Sequence, residues 1–128
     1  MPPTRVLVFR DSTERSPLIE WLDEMEKAEP KAFVRCLARI QQLEQMGHEL
    51  RRPAADILRD KIHELRAKVG RVQYRILYFF RDNERNVACL THGFTKEDAV
   101  PDAQIEYAIR VKKLVDSDHE RYTAEWEV

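Results

Sequence analysis

Between residues 61 and 80 the chain alternates with a period of two, and this limits its possible folds more than any other feature. In Lys61-Ile62-His63-Glu64-Leu65-Arg66-Ala67-Lys68-Val69 one parity carries His63, Leu65, Ala67 and Val69, and the other Glu64, Arg66 and Lys68. After Gly70, Val72, Tyr74, Ile76, Tyr78 and Phe80 alternate with Arg71, Gln73, Arg75, Leu77 and Phe79. Successive side chains of a strand point to opposite faces. The pattern therefore predicts strands over 61–69 and 71–81. Asp82-Asn83-Glu84-Arg85 reads as a second turn, and 86–94 as the next strand. The expected sheet is an antiparallel meander with one apolar and one basic face.

An apolar sheet face needs a cover, and the residues before it supply one. Ser16-Pro17 reads as an N-cap followed by proline at the first helical position, with Leu18, Leu22 and Met25 at helical spacing. Glu29-Pro30 breaks this helix and opens another, in which Phe33, Leu37 and Ile40 keep the 3.6-residue period up to Gly47. The helical hairpin of 17–46 is expected to lay Leu22, Phe33, Leu37 and Ile40 on the sheet. Residues 5–10, Arg-Val-Leu-Val-Phe-Arg, read as a further strand. Pro101 starts a third helix that turns Ile105, Ala108 and Ile109 inward, and a polar tail follows from about residue 116, with Trp126 as a possible anchor. The order is β-α-α-β-β-β-α, an α+β domain over 1–128.

At 128 residues and 43 % apolar content the chain can bury one core. No apolar run approaches the ~20 residues of a membrane span, and the start, Met1-Pro2-Pro3-Thr4-Arg5, lacks the apolar stretch of a signal peptide. A cytoplasmic location with no membrane partner is the expectation. Cys36 and Cys89 form no CxxC pair, and His48, His63, His92 and His119 show no metal-ligand spacing. With three glycines and neither GxGxxG nor GxxxxGK[ST], no phosphate-cradling loop is present. No metal or cofactor is expected. The net charge of −1 conceals an asymmetry: residues 51–96 carry 11 Lys/Arg against 5 Asp/Glu, and the rest 11 against 18. A local basic patch suffices to bind phosphates, although uneven segments also arise by chance in so charged a chain.

Three spaced motifs carry a resemblance. His63-Glu64-Leu65-Arg66, then Tyr74-Arg75-Ile76-Leu77-Tyr78-Phe79-Phe80, then Leu90-Thr91-His92-Gly93-Phe94-Thr95-Lys96, with Pro101, Ile105 and Ala108 beyond, resemble the RelE/ParE toxin superfamily, most closely its HigB-like, phage-derived group. The resemblance spans about residues 5–115. It implies a RelE-like domain, a curved sheet with a helical hairpin packed on one face. The implied function is the toxin of a type II toxin–antitoxin system, a ribosome-dependent mRNA interferase checked by a cognate antitoxin, often of helix-turn-helix type.

Metal-free RNA cleavage needs a base for the ribose 2′-OH, a cation for the transition-state charge and an acid for the leaving 5′-oxygen. Arg75 matches the arginine of the family's Tyr-Arg strand motif, for which the resemblance implies phosphate binding on the open face; its fork suits phosphate oxygens. The alternative is a solvated strand arginine. Lys96, after His-Gly-Phe, matches a basic position that could contact the scissile phosphate, or is simply a loop lysine. His92 could be acid or base, since its ordinary pKa of ~6.5 lies near working pH. Sharing parity with Leu90 and Phe94, it also fits a packed ring. His63 belongs to the apolar parity and reads as core. Arg66, Lys68 and Arg71 are expected to bind RNA backbone, extended by Lys61, Arg51 and Arg52. Two departures from RelE are Glu64, where RelE carries a lysine, and Tyr107, which lies further into the helix than the RelE tyrosine. The alternatives are a ParE-like gyrase inhibitor, with the same fold but no nuclease groups, and an inactive phage-derived module that binds RNA or protein.

Overall fold

The computed structural model describes residues 3–95 and 99–127. It is an α+β fold built on one six-stranded sheet, ordered β2-β3-β4-β5-β1-β6. Strand β1 is Arg5–Phe9, β2 Ala55–Ile57, β3 His63–Val69, β4 Val72–Arg81, β5 Glu84–Thr95 and β6 Thr123–Glu125. Helices α1 (Pro17–Ala28) and α2 (Pro30–Met46) lie on one face, and α3 (Asp102–Ser117) lies on the other. A single turn, α4 (His119–Tyr122), leads into β6.

The hairpin forms where the sequence signals it. The Ser16 hydroxyl accepts the Ile19 amide at 3.3 Å, and Pro17 opens α1. Glu29 separates the helices, Pro30 opens α2, and Gly47 closes it at φ +53°, the left-handed region where glycine carries no steric penalty. A Cβ on Gly93 would collide with the Trp21 ring, so the glycine lets α1 approach the backbone of β5. Leu18, Leu22, Ile40 and Leu43 are buried against Leu65, Ile76, Tyr78 and Leu90. Phe33 is half-buried at the edge of this core. Leu37 departs from expectation: it is half-buried, outside the core, and borders a shallow surface groove with the exposed Val34. Ile40 is buried as expected, and the inward positions beside it are taken by Ala32, Cys36 and Leu43 rather than Leu37.

The meander expected over 61–94 is antiparallel throughout, and β1 joins it by pairing in parallel with β5. The sheet also gains two three-residue edge strands, β2 against β3 and β6 against β1. The tail from about 116 is thus part of the fold, with Trp126 packed on the core. Finally, the face opposite the hairpin is not basic throughout. Helix α3 buries Ile105, Ala108, Val111 and Val115 there against Leu7, Leu77, Phe79 and Cys89. No described helix is long and apolar enough to cross a membrane.

Candidate functional site

Under the first turns of α3 and beyond them, the same sheet face turns polar. Its residues come from three neighbouring strands: Glu64 and Arg66 of β3, Arg75 of β4, and His92 and Phe94 of β5. Cross-strand register brings them together, with Glu64 opposite Leu77, Arg66 opposite Arg75, Arg75 opposite Phe94 and Leu77 opposite His92.

A β-bulge decides the direction of His92. Tyr78 pairs with Leu90 but the preceding Leu77 pairs with His92, so Thr91 is an extra residue in β5. An inserted residue reverses the facing of everything after it. His92 and Phe94 therefore point to the α3 side while Leu90 points to the hairpin, contrary to the parity read from the sequence. The Thr91 hydroxyl satisfies the disturbed ladder by donating to the Leu77 carbonyl at 3.0 Å.

The His92 ring is held on every side. Nδ1 lies 2.9 Å from Thr91 Oγ1, Nε2 lies 2.8 Å from Gln104 Oε1, and the Tyr107 ring meets it edge-on with centroids 4.5 Å apart. Burial pushes its pKa below the ordinary value, opposed by the Gln104 hydrogen bond. A neutral ring donating from Nε2 to Gln104 leaves Nδ1 competing with the Leu77 carbonyl for the single Thr91 hydroxyl proton. A proton on Nδ1 would satisfy both partners but place a charge in a dry site. The ring is thus poised between hydrogen-bond demand, which favours a second proton, and burial, which opposes it.

Arg75 lies on the side opposite the hairpin, as its parity predicts, but that side is not open there. It is only 6 % exposed, and its Nη1 sits 2.9 and 2.8 Å from the two oxygens of Glu64, itself 3 % exposed. Arg66 Nε is 3.5 Å from the same carboxylate. One strand further out, Asp56 stands opposite Glu64 and pairs with Arg52 at 2.6 Å. Like charges thus stand directly opposite each other across the strands, Asp56 with Glu64 and Arg66 with Arg75, while Glu64 meets Arg75 on the diagonal. Removing Arg75 would leave the buried Glu64 carboxylate with only the longer Arg66 contact.

The anticipated basic patch divides in two. Arg66 and Arg75 lie at one end of β3 with the exposed Lys68 and Arg71. Lys61 is at the other end, roughly 20 Å from Lys68 for a seven-residue strand, and lies 3.4 Å from Asp82. Arg51 donates to the His48 carbonyl. Arg52 is occupied by Asp56. Lys96 lies outside the described residues. His63 is packed beside Tyr78 and Phe80, and burial, with His48 and Arg51 nearby, pushes its pKa down to about 4.

Two arginines that sequence reasoning passed over join the Arg66 end. Arg35 Nη1 donates to the Lys68 carbonyl at 2.5 Å and Arg39 Nε to the Arg66 carbonyl at 2.7 Å. Both carbonyls lie on the part of β3 that the short β2 leaves uncovered. The available signal was Lys31, Arg35 and Arg39 at four-residue spacing in a helix without an acidic residue until Glu44.

A protein-family model described as "Phage derived protein Gp49-like (DUF891)" matches residues 20–113, from within α1 to within α3. Comparison with curated proteins finds no match.

Proposed function

Because the chain belongs to the Gp49-like family of phage-derived proteins, we propose that it is the toxin of a toxin–antitoxin pair and that it cuts mRNA on the ribosome. The observation that carries this reading is the union on one sheet face of two guanidiniums, Arg66 and Arg75, with the His92 imidazole, on adjacent strands and flanked by Lys68 and Arg39. The sequence resemblance to HigB-like toxins points the same way.

In this reading Arg66, Lys68, Arg71, Arg35 and Arg39 hold the RNA backbone, and Arg75 stabilises the charge that builds on phosphorus as the 2′-oxygen attacks. His92 takes the 2′-OH proton or supplies one to the 5′-oxygen. It is suited to the base role because burial keeps it uncharged near neutrality. To reach substrate, the ring must exchange its Gln104 bond for one to RNA. Lys96 is the second candidate for the scissile phosphate. The proposed partner is an antitoxin of helix-turn-helix type encoded beside this gene, which masks the basic face until it is degraded.

A second reading has one observation in its favour: Glu64 already occupies the Arg75 fork in a buried pair. Such a pair serves architecture as readily as chemistry, and the same fold would then act through a protein interface, as a ParE-like gyrase inhibitor does, or as an inactive binding module.

Induced expression with mapping of mRNA 5′ ends separates these readings. Cleavage confined to translated transcripts, lost in a folded His92→Ala variant by about 10²–10⁴-fold, is the expected result. Intact mRNA together with gyrase-dependent DNA breaks would favour the protein-interface reading, and absence of both would leave the inactive module.

A further inference from the structure

At the end of the sheet remote from Arg66 and Arg75, a second constellation has no part in the reading above. The short 3-10 turn after α2, Gly47–Glu49, lays His48 flat on Phe80, with ring centroids 3.6 Å apart and planes 18° from parallel. Its orientation is fixed because Nε2–H donates to the Arg85 carbonyl at 2.7 Å. His63 meets the same phenylalanine edge-on at 5.3 Å. Together with the exposed Ile57, these rings line a pocket of about 450 Å³. That volume falls within the range typical of small-ligand sites.

The charged lining of the pocket is three cations, Lys61, Arg81 and Arg85, against one carboxylate, Asp82. Lys61 and Arg85 both stand at its mouth and are solvent-exposed. Among the described residues Arg85 forms no ion pair, and Lys61 has only the long 3.4 Å contact to Asp82. That carboxylate is held more closely by Lys112, at 3.0 Å. Arg81, also at the pocket, is paired with Glu84 at 3.1 Å.

Lys61 is presented in an unusual way. Asp60 and Lys61 have φ of +52° and +67°, and the Ile62 amide donates to the Arg59 carbonyl at 2.9 Å. This is a tight turn with both central residues left-handed, where Asn-Gly or Asp-Gly is the favoured pair. A lysine in the second position adopts a conformation that a glycine would hold with less strain, and strain retained in this way marks residues kept for what their side chains do.

We propose that this pocket binds one nucleotide unit, its base against the His48, His63 and Phe80 rings and its phosphate on Lys61 and Arg85. Flat rings next to an exposed arginine and a loosely held lysine match a base joined to a phosphate, the combination by which single-stranded nucleic acids are held. A purely apolar ligand would leave the cations unused, and a bare phosphate would leave the rings unused. The unit is either a free nucleotide or one residue of an RNA strand. The inference does not depend on RNA cleavage by the other site.

Titration of the full-length protein with 5′-AMP, with a single-stranded RNA hexamer and with inorganic phosphate, followed by the NMR signals of the His48 ring and by calorimetry, tests it. Expected are ring-current shifts at His48 with AMP or with the hexamer. Affinity should fall roughly five- to a hundredfold in His48→Ala, fall in Arg85→Ala, and stay unchanged in Lys113→Ala. His48→Phe, which keeps the stack without the hydrogen bond, should retain binding and so separates loss of the ring from loss of fold. Binding of AMP identifies a free nucleotide as sufficient. Binding of the hexamer alone identifies a strand. Phosphate acting as strongly as AMP, equal loss in Lys113→Ala, or no shift with either nucleotide probe would overturn the proposal.

Discussion

The two faces of the sheet differ in how far their covers extend. The hairpin face is apolar along its length, from Phe80 through Tyr78 and Ile76 to Tyr74, and two helices lie across it. The α3 face is apolar at Phe79 and Leu77, then becomes Arg75 and Gln73. Helix α3 has 16 residues, about 24 Å of helix, whereas the ten residues of β4 span about 33 Å. One helix cannot span such a strand, and the part beyond its apolar residues carries the buried Glu64–Arg75 pair. The two faces thus teach that the alternation in the sequence reports direction, whereas the reach of the covering helix sets polarity.

Several substitutions would break or sharpen this contrast. The largest loss should come from the polar half. Arg75→Ala leaves the buried Glu64 with only the longer Arg66 contact and should cost about 3–5 kcal/mol in urea unfolding. Much of that should return in the double variant Glu64→Leu, Arg75→Met. If the double variant is stable yet fails to cleave mRNA, the arginine has a chemical role as well as a structural one. Unchanged stability of Arg75→Ala would remove the pair as the organiser of this half.

On the hairpin face the contrast lies between neighbours. Ile40→Ala should cost about 2–5 kcal/mol, and Leu37→Ala, one turn earlier and outside the core, less than about 1 kcal/mol. Equal losses would show that both residues belong to the core.

Acid should act through the margin of the hairpin face. His63 has its pKa pushed down to about 4, against ~6.5 unfolded. The folded form therefore binds fewer protons between these values. Its stabilising share is complete above pH 6.5 and is lost as pH falls toward 4, by about 3 kcal/mol overall. His92 adds a loss of the same sign. His63→Phe should flatten this part of the stability–pH curve, measured as urea midpoints at pH 7 and 4.5. An unchanged slope would place the acid response elsewhere.

The smallest effect is a gain. Lys61→Gly relieves a left-handed lysine and should stabilise by up to about 1 kcal/mol, visible as a raised melting temperature. A loss would mean that the Lys61–Asp82 contact outweighs the turn strain.

Much of the fold was legible because it is written in local signals. Ser16-Pro17, Glu29-Pro30 and Gly47 mark the hairpin, and the alternation over 63–80 marks β3 and β4. The strands β2 and β6 were not legible. Three residues carry no period, and both exist only because a neighbouring strand offers a free edge. The site was legible as a set of residue types but not in its arrangement. An inserted Thr91 has no signature in the sequence, yet it turns His92 to the opposite face. The Glu64–Arg75 contact joins residues that local spacing does not relate. Arg35 and Arg39 read as a solvated helix face because nothing local shows that β3 has bare carbonyls beside them.

The position of β1 has a consequence for the order in which the molecule can be assembled. Arg5 meets its partner Val87 only after more than eighty intervening residues have been made, and Phe9 waits for Thr123 on its other side. Contacts so distant in sequence form late. During synthesis the segment Val-Leu-Val-Phe is therefore an apolar strand with two bare edges, the kind of segment that recruits unrelated chains. Only when β6 arrives, and the Trp126 amide bonds to the Val6 carbonyl at 3.0 Å, is its outer edge closed. Of the described strands the first to be made is the last to be sealed, so chains interrupted before residue 123 should aggregate through residues 5–9.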